Sequence, residues 1–231
     1  MVMIMAMHTD AAGLYRLMSW LSPAYPVGAY TYSHGLEWVV DIGDVRSAAA
    51  LEAWLDGVLR FGGGFSDAVL FAHAWRAEDV ATIRELAELA VALNPSAERR
   101  LETTAQGRAF LSATRHAWPT PALDAFDGLE PEALPYPVVV AVAAQGHGIP
   151  LAPALGAYLH AFLANLVSAG VRLIPLGQSA GLALVAGFEE TLAEIAATAA
   201  QAPLSGVGGC ALAADLASIH HETQYSRLFR S

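Results

Sequence analysis

The side chains with the types and spacing to do chemistry gather near the two ends of this sequence. Ser33 and His34 stand together in L-S-P-A-Y-P-V-G-A-Y-T-Y-S-H-G-L-E, residues 21–37, and Glu37 follows His34 by three. His220, His221 and Glu222 form a run close to the other end. A serine beside an imidazole could serve nucleophilic catalysis, but adjacency is not triad geometry and no Gly-x-Ser-x-Gly elbow occurs. His34 and Glu37, three apart on a helix, could join His220, His221 and Glu222 as ligands in a bundle core. That makes a helical metal-carboxylate protein or enzyme the alternative reading. Against it, the Glu-x-x-His order of di-iron bundles is missing, and His8, His73, His116, His147 and His160 share no spacing. The triplet Gly62-Gly63-Gly64 lacks the preceding strand of a phosphate cradle and reads as a joint between helices.

Composition narrows the chemistry further. All twelve basic residues are arginine, so a P-loop lysine, a Schiff-base lysine and a carbamylated lysine are excluded. The net charge of -10 argues against nucleic acid, because phosphate binding needs clustered cations. Cys210 is alone, which removes disulfides and multi-cysteine metal sites within the chain and suits a reducing cytoplasm. The opening M-V-M-I-M-A-M has no basic flank and reads as a disordered or loosely docked terminus. Between Glu132 and Glu189 the only formal charge is Arg172, yet Gly146, Gly148, Pro150, Pro153 and Pro175 divide this region into buried helices rather than membrane spans.

The elements that must position these residues read as helices throughout. Leu14, Leu17, Met18 and Leu21 make one stripe of a first helix, which Pro23 and Pro26 stop. A second helix is expected from about Ser33 to Gly43, and Ser47 caps a third that carries Leu51, Trp54, Leu55 and Val58. Phe65–Trp75 and Asp79–Leu93 form a helical pair; a polar helix from Ser96 to about His116 is expected to be the most solvated. Five prolines make residues 118–137 a surface connection. Val138–Val142 read as buried helix, and Leu151–Ser168 as a helix ending at Gly170, with Ala154, Ala157, Ala161 and Ala164 as a small face for close helix packing. Further helices follow Pro175 and Glu189, and a last one carries Leu212, Leu216 and Ile219. With no βαβ rhythm or repeat, the fold is all-α: one domain of about ten helices over residues 1–219, and a recognition tail over 220–231.

That tail, H-H-E-T-Q-Y-S-R-L-F-R-S, mixes apolar anchors with arginines. Together with S-P-A-Y-P-V-G-A-Y-T-Y-S-H-G-L-E at 22–37 and G-V-R-L-I-P-L-G-Q-S-A at 170–180, it resembles the urease accessory protein F (UreF) family, and order, spacing and length fit along the chain. Two departures stand out: Gly28-Ala29 where the family often has two glycines, and Arg172 where it often has lysine.

The resemblance implies a non-enzymatic, all-helical, cytoplasmic homodimer without a cofactor. It would bind accessory protein D (also called H), recruit the GTPase accessory protein G, and act with both on apo-urease in GTP-dependent nickel insertion. It assigns Glu37 and Arg172 to the GTPase-facing surface, and His221, Glu222, Tyr225, Arg227, Leu228, Phe229 and Arg230 to the D-protein contact. Tyr30, Ser33 and Gln178, in the matched segments, count as partner-binding too. A tail folded back so that the Arg227 guanidinium meets Tyr30 is the expected arrangement. Two imidazoles on a tail could touch nickel in passing, as a weak site that a partner would have to complete.

Overall fold

The computed structural model describes residues 10–231, and within them the chain is all-helical. The loosely docked terminus expected at 1–7, and His8, lie outside the described residues. In chain order the helices are α1 (Ala11–Trp20), α2 (Leu36–Asp41), α3 (Ala48–Phe61), α4 (Gly63–Arg76), α5 (Val80–Ala92), α6 (Ala97–Ala117), α7 (Tyr136–Gly146), α8 (Leu151–Leu173), α9 (Gln178–Gly187), α10 (Glu189–Ala199) and α11 (Leu212–His221). Short polar side chains start several of them. Asp10, Ser47, Asp79 and Ser96 each accept the backbone N–H three residues on, satisfying one of the donors a helix start leaves free.

α7 is the axis of the core. Every residue from Pro137 to Ala144 is buried, so the helix is apolar all round, and Pro137 sits in its first turn where no N–H is needed. α4 and α6 pack on two of its sides. The glycine triplet is a joint, as expected: α3 ends at Phe61 and α4 starts at Gly63. A Cβ on Gly64 would stand 2.8 Å from the Leu59 Cα, so the two helices meet closer than any other residue allows.

Several expectations are corrected. α2 begins at Leu36, not Ser33, because His34 and Gly35 both take positive φ, at 56° and 77°. His34 and Glu37 therefore do not share a helix face. α8 runs through Gly170 to Leu173; that glycine is a packing contact, where a Cβ would meet Leu51 at 2.4 Å. The connection at 118–137 makes 3-10 turns at Pro121–Phe126 and Pro131–Ala133, and it drives Leu123 and Phe126 into the core. The stripes of the first and last helices point outward: Leu14 and Met18, and Leu212, Leu216 and Ile219, are exposed.

The largest reversal concerns α6, expected as the most solvated helix. Its polar residues are inside: Glu98, Arg99, Glu102, Thr103, Gln106 and Thr114 are buried, while Leu101 and Arg108 face solvent. Among the described residues α8 alone is long and apolar enough to cross a membrane, and half of its most apolar window is buried against the rest of the fold.

Gly107 lets α6 lie against the connection, since a Cβ there would come within 1.9 Å of the Leu134 carbonyl oxygen. Gly107→Ala should cost about 1–3 kcal/mol by overpacking against backbone. Gly156→Ala on α8, where a Cβ meets open space, should cost nothing or stabilise slightly. Thermal denaturation of the two variants checks the contrast.

Candidate functional site

The chain's two chemistry-bearing ends meet on α6. Ser96 starts that helix, and its 3.6-residue period puts Glu98, Arg99, Glu102 and Gln106 on the inward side. Buried carboxylates need partners, and these come from three other parts of the chain. Glu98 accepts from His221 Nδ1 at 2.6 Å through one oxygen and from Arg227 at 2.6 Å through the other. Glu102 is paired with Arg99, meets His34 Nε2 at 2.8 Å, and accepts from Ser231 Oγ at 3.0 Å and Gln106 Nε2 at 3.0 Å.

Glu37, on the short α2, is the second hub. Its carboxylate accepts the Leu228 N–H at 2.6 Å, the Phe229 N–H at 2.9 Å and His221 Nε2 at 3.0 Å. His221, with 0% exposure, thus lies between two glutamates with a carboxylate on each ring nitrogen. Both nitrogens are engaged, so neither lone pair is free to hold a metal ion. Among the described residues no group of three histidine, cysteine or acidic side chains is arranged to hold one.

The tail closes along the proline-glycine loop. Ser33 donates through both its N–H and its hydroxyl to the Ser231 main-chain oxygen, each at 2.5 Å, and the Arg230 N–H donates to the Thr31 carbonyl at 2.7 Å. Phe229 is buried beneath the Arg172 guanidinium, 4.3 Å from its ring centre. Arg172 also donates to the Tyr30 carbonyl at 2.7 Å, pinning loop and tail together. Glu222 is half-buried and accepts the Ala97 N–H at 2.7 Å, where a carboxylate suits the positive end of α6.

Of the residues the sequence singled out, the structure therefore gathers Ser33, Glu37, His221, Phe229 and Arg227 into one network. The expected pairing of Arg227 with Tyr30 is replaced by Arg227 with Glu98. Tyr30, Arg172, Gln178, Tyr225, Arg227, Leu228 and Arg230 stay exposed, with Tyr225 fully so. Arg172 reaches Tyr30 through the loop carbonyl, and Gln178 stands at the exposed start of α9. Glu98, Arg99 and Glu102 were missed; their signal was a capped helix whose acidic and basic side chains recur at three and four residues on one face.

Electrostatics follow from burial and pairing. Burial works against the Glu102 carboxylate, but Arg99 first and His34 next overcome it and hold the group down at about 2. Burial, aided by Arg99, pushes the His34 imidazole below its usual range against the pull of Glu102. Asp67 on α4 goes the other way: desolvation pushes it up to about 6. Beside this network lies a cavity of about 240 Å³ bordered by Tyr25, Asp67, Gln106, Tyr136, Tyr158 and Phe162 among others.

Comparison with known proteins gives one answer. The family model described as UreF matches residues 45–189. The "Urease accessory protein UreF" of Rhodopseudomonas palustris strain HaA2 is 52% identical over 225 residues, covering 96% of this chain and 95% of its own. That of Bradyrhizobium sp. strain BTAi1 is 52% identical over 226 residues, covering 96% and 93%.

Two outcomes test the network. Glu37→Gln should release the tail, with faster hydrogen exchange confined to residues 228–231 and their contacts, at a stability loss of about 2–4 kcal/mol. Because Glu102 is depressed in the fold, its contribution is full above its unfolded value near 4.5 and is lost as pH falls towards 2. A Glu102→Gln variant should lack that acid limb in a denaturation series.

Proposed function

The chain belongs to the UreF family of urease accessory proteins, and on that premise we propose that it is an adaptor without catalytic chemistry of its own. It binds accessory protein D (or H), recruits the GTPase accessory protein G, and acts with them as a cytoplasmic homodimer in GTP-dependent delivery of nickel to apo-urease. Nickel is cargo in this reading, not a resident cofactor.

One observation carries it: main-chain N–H groups and Phe229 bind the tail to the fold, while Tyr225 and Leu228 are left outside. Leu228 is exposed, Tyr225 entirely so, and the adjoining α11 turns Leu212, Leu216 and Ile219 to solvent at i, i+4 and i+7. Monomeric proteins rarely leave such an apolar helix face uncovered, and aromatic and aliphatic anchors are what an interface core uses. We assign this face to the D-type partner. The GTPase is assigned to the side carrying Arg172, Tyr30 and Gln178, where Arg172 both bonds the loop and presents an exposed guanidinium. On α1, Leu14, Tyr15 and Met18 form a second apolar face, available to another copy of the chain.

Truncating the tail is a poor test, because it would strip His221, Phe229 and Ser231 from the interior. Surface changes are cleaner. Leu216→Asp combined with Tyr225→Ala should leave thermal stability within about 0.5 kcal/mol and weaken D-protein binding at least tenfold by light-scattering chromatography and titration. Arg172→Ala should keep D-protein binding and reduce GTPase recruitment. Wild-type affinity for D in the double variant would remove the α11 face from the interface.

A further inference from the structure

The surroundings of His221 fix a proton count. Its Nδ1 lies 2.6 Å from a Glu98 oxygen and its Nε2 lies 3.0 Å from a Glu37 oxygen, and each of these hydrogen bonds needs one hydrogen. A neutral imidazole carries one N–H and an ionised carboxylate carries none, so a neutral ring would set a lone pair against an oxygen in one of the two contacts. Glu98 also faces Arg227, and Glu37 also accepts two main-chain N–H groups, surroundings that suit carboxylates, so the extra hydrogen belongs on the ring. We propose that this proton is a latch: while His221 holds it the tail stays bonded to the fold, and its loss on the alkaline side frees residues 222–231 and with them the ordered display of Tyr225 and Leu228. The latch belongs to the chain itself and stands whichever partner covers that face.

The charged groups around the ring come from α2, α6 and the tail. Among the described residues His221 is the one ion-pair partner of Glu37, whereas Glu98 is shared between His221 and Arg227. With the ring protonated, two anions face two cations. Without the proton the cluster keeps an excess negative charge, at a side chain with 0% exposure that water cannot screen. No neighbour can take over. Arg99, the other cation buried on α6, is committed to Glu102; Glu222 turns to the Ala97 N–H; and His220 is exposed and stacks on Trp38.

His34 is the contrasting case. It meets one carboxylate, Glu102, so a single N–H satisfies it, and burial with Arg99 beside it favours the neutral ring. Two buried imidazoles thus sit on glutamates, and only the one at the base of the tail needs two hydrogens. The carboxylate that loses its partner when His221 is deprotonated is Glu37, which holds the Leu228 and Phe229 N–H groups.

The sign of the pH dependence follows from the proton count. An imidazole released to water holds its proton only below about pH 6.5. Below that value the closed and open tail both carry it, and pH leaves their ratio unchanged. Above it the closed state holds one proton more, so the closed-to-open ratio falls by up to about tenfold for each pH unit.

The test is amide hydrogen exchange on the full chain from about pH 6 to pH 9, corrected for the intrinsic rise of exchange with pH. Protection of the Leu228 and Phe229 amides should be flat up to about pH 6.5 and then fall by up to about tenfold per unit, while the α7 amides keep theirs. Nitrogen NMR of the folded chain near pH 6.5 should show hydrogen on both His221 ring nitrogens. In Glu98→Gln the amide donates its own N–H to Nδ1 and keeps its oxygen for Arg227, so a neutral ring suffices, and the tail should stay protected across the whole range. His220→Ala should keep the wild-type fall. Tail protection that ignores pH, a single N–H on the buried His221 ring, or a Glu98→Gln chain with the wild-type slope would overturn the proposal. The first two are read on the wild-type chain, so they decide it even where the variant does not fold.

Discussion

Glu98 and Glu102 lie one turn apart inside the protein, and carboxylates in that position cannot remain charged without close partners. Their own helix supplies only Arg99 and Gln106, both to Glu102. The rest must be brought from elsewhere: His34 from the loop after α1, His221 from the last helix, Arg227 and Ser231 from the tail. Desolvating a carboxylate costs several kcal/mol, so each missing partner would leave an uncompensated charge in the interior. The placement of the loop, α11 and the tail follows from this constraint. Glu37 repeats it on a smaller scale, holding His221 and two tail N–H groups with a single carboxylate.

The same constraint sorts the tail into an inner and an outer set. Main-chain groups and Phe229 turn inward, and Tyr225 and Leu228 are left at the surface next to the apolar outer face of α11. An interface built this way is pre-organised: its anchors project from backbone that is already hydrogen-bonded, so less conformational entropy is lost when a partner covers them.

Local signals made the helical architecture readable from the sequence. Asp10, Ser47, Asp79 and Ser96 cap where short polar side chains precede apolar periodicity, and Val138–Val142 form a helix because Pro137 and the following alanines suit one. What was not readable is which side of a helix faces in. Leu14, Met18, Leu212, Leu216 and Ile219 have the spacing of a core stripe but sit outside, and the charged side of α6 sits inside. Periodicity reports that a helix has two faces, and only tertiary context assigns them. The loop contacts were partly visible, since a serine, a histidine and a glutamate crowded among prolines had more polar capacity than a connector uses. The partners of Ser33 and Glu37, about 190 residues further on, and that of His34, 68 residues on, left no mark in local spacing.

That separation along the chain bears on how the protein is made. Ser33 joins Ser231, and Glu37 joins residues 221, 228 and 229, so several of the bonds that satisfy the interior span most of the chain. During synthesis the helices can form and collapse on α7 while α6 still carries carboxylates awaiting the last eleven residues. Long-range closure of this kind is slow and late. A chain that stalls on the ribosome before residue 221 therefore leaves Glu37 and Glu98 unmatched, and its looseness distinguishes it, for the cell's proteases, from a finished copy.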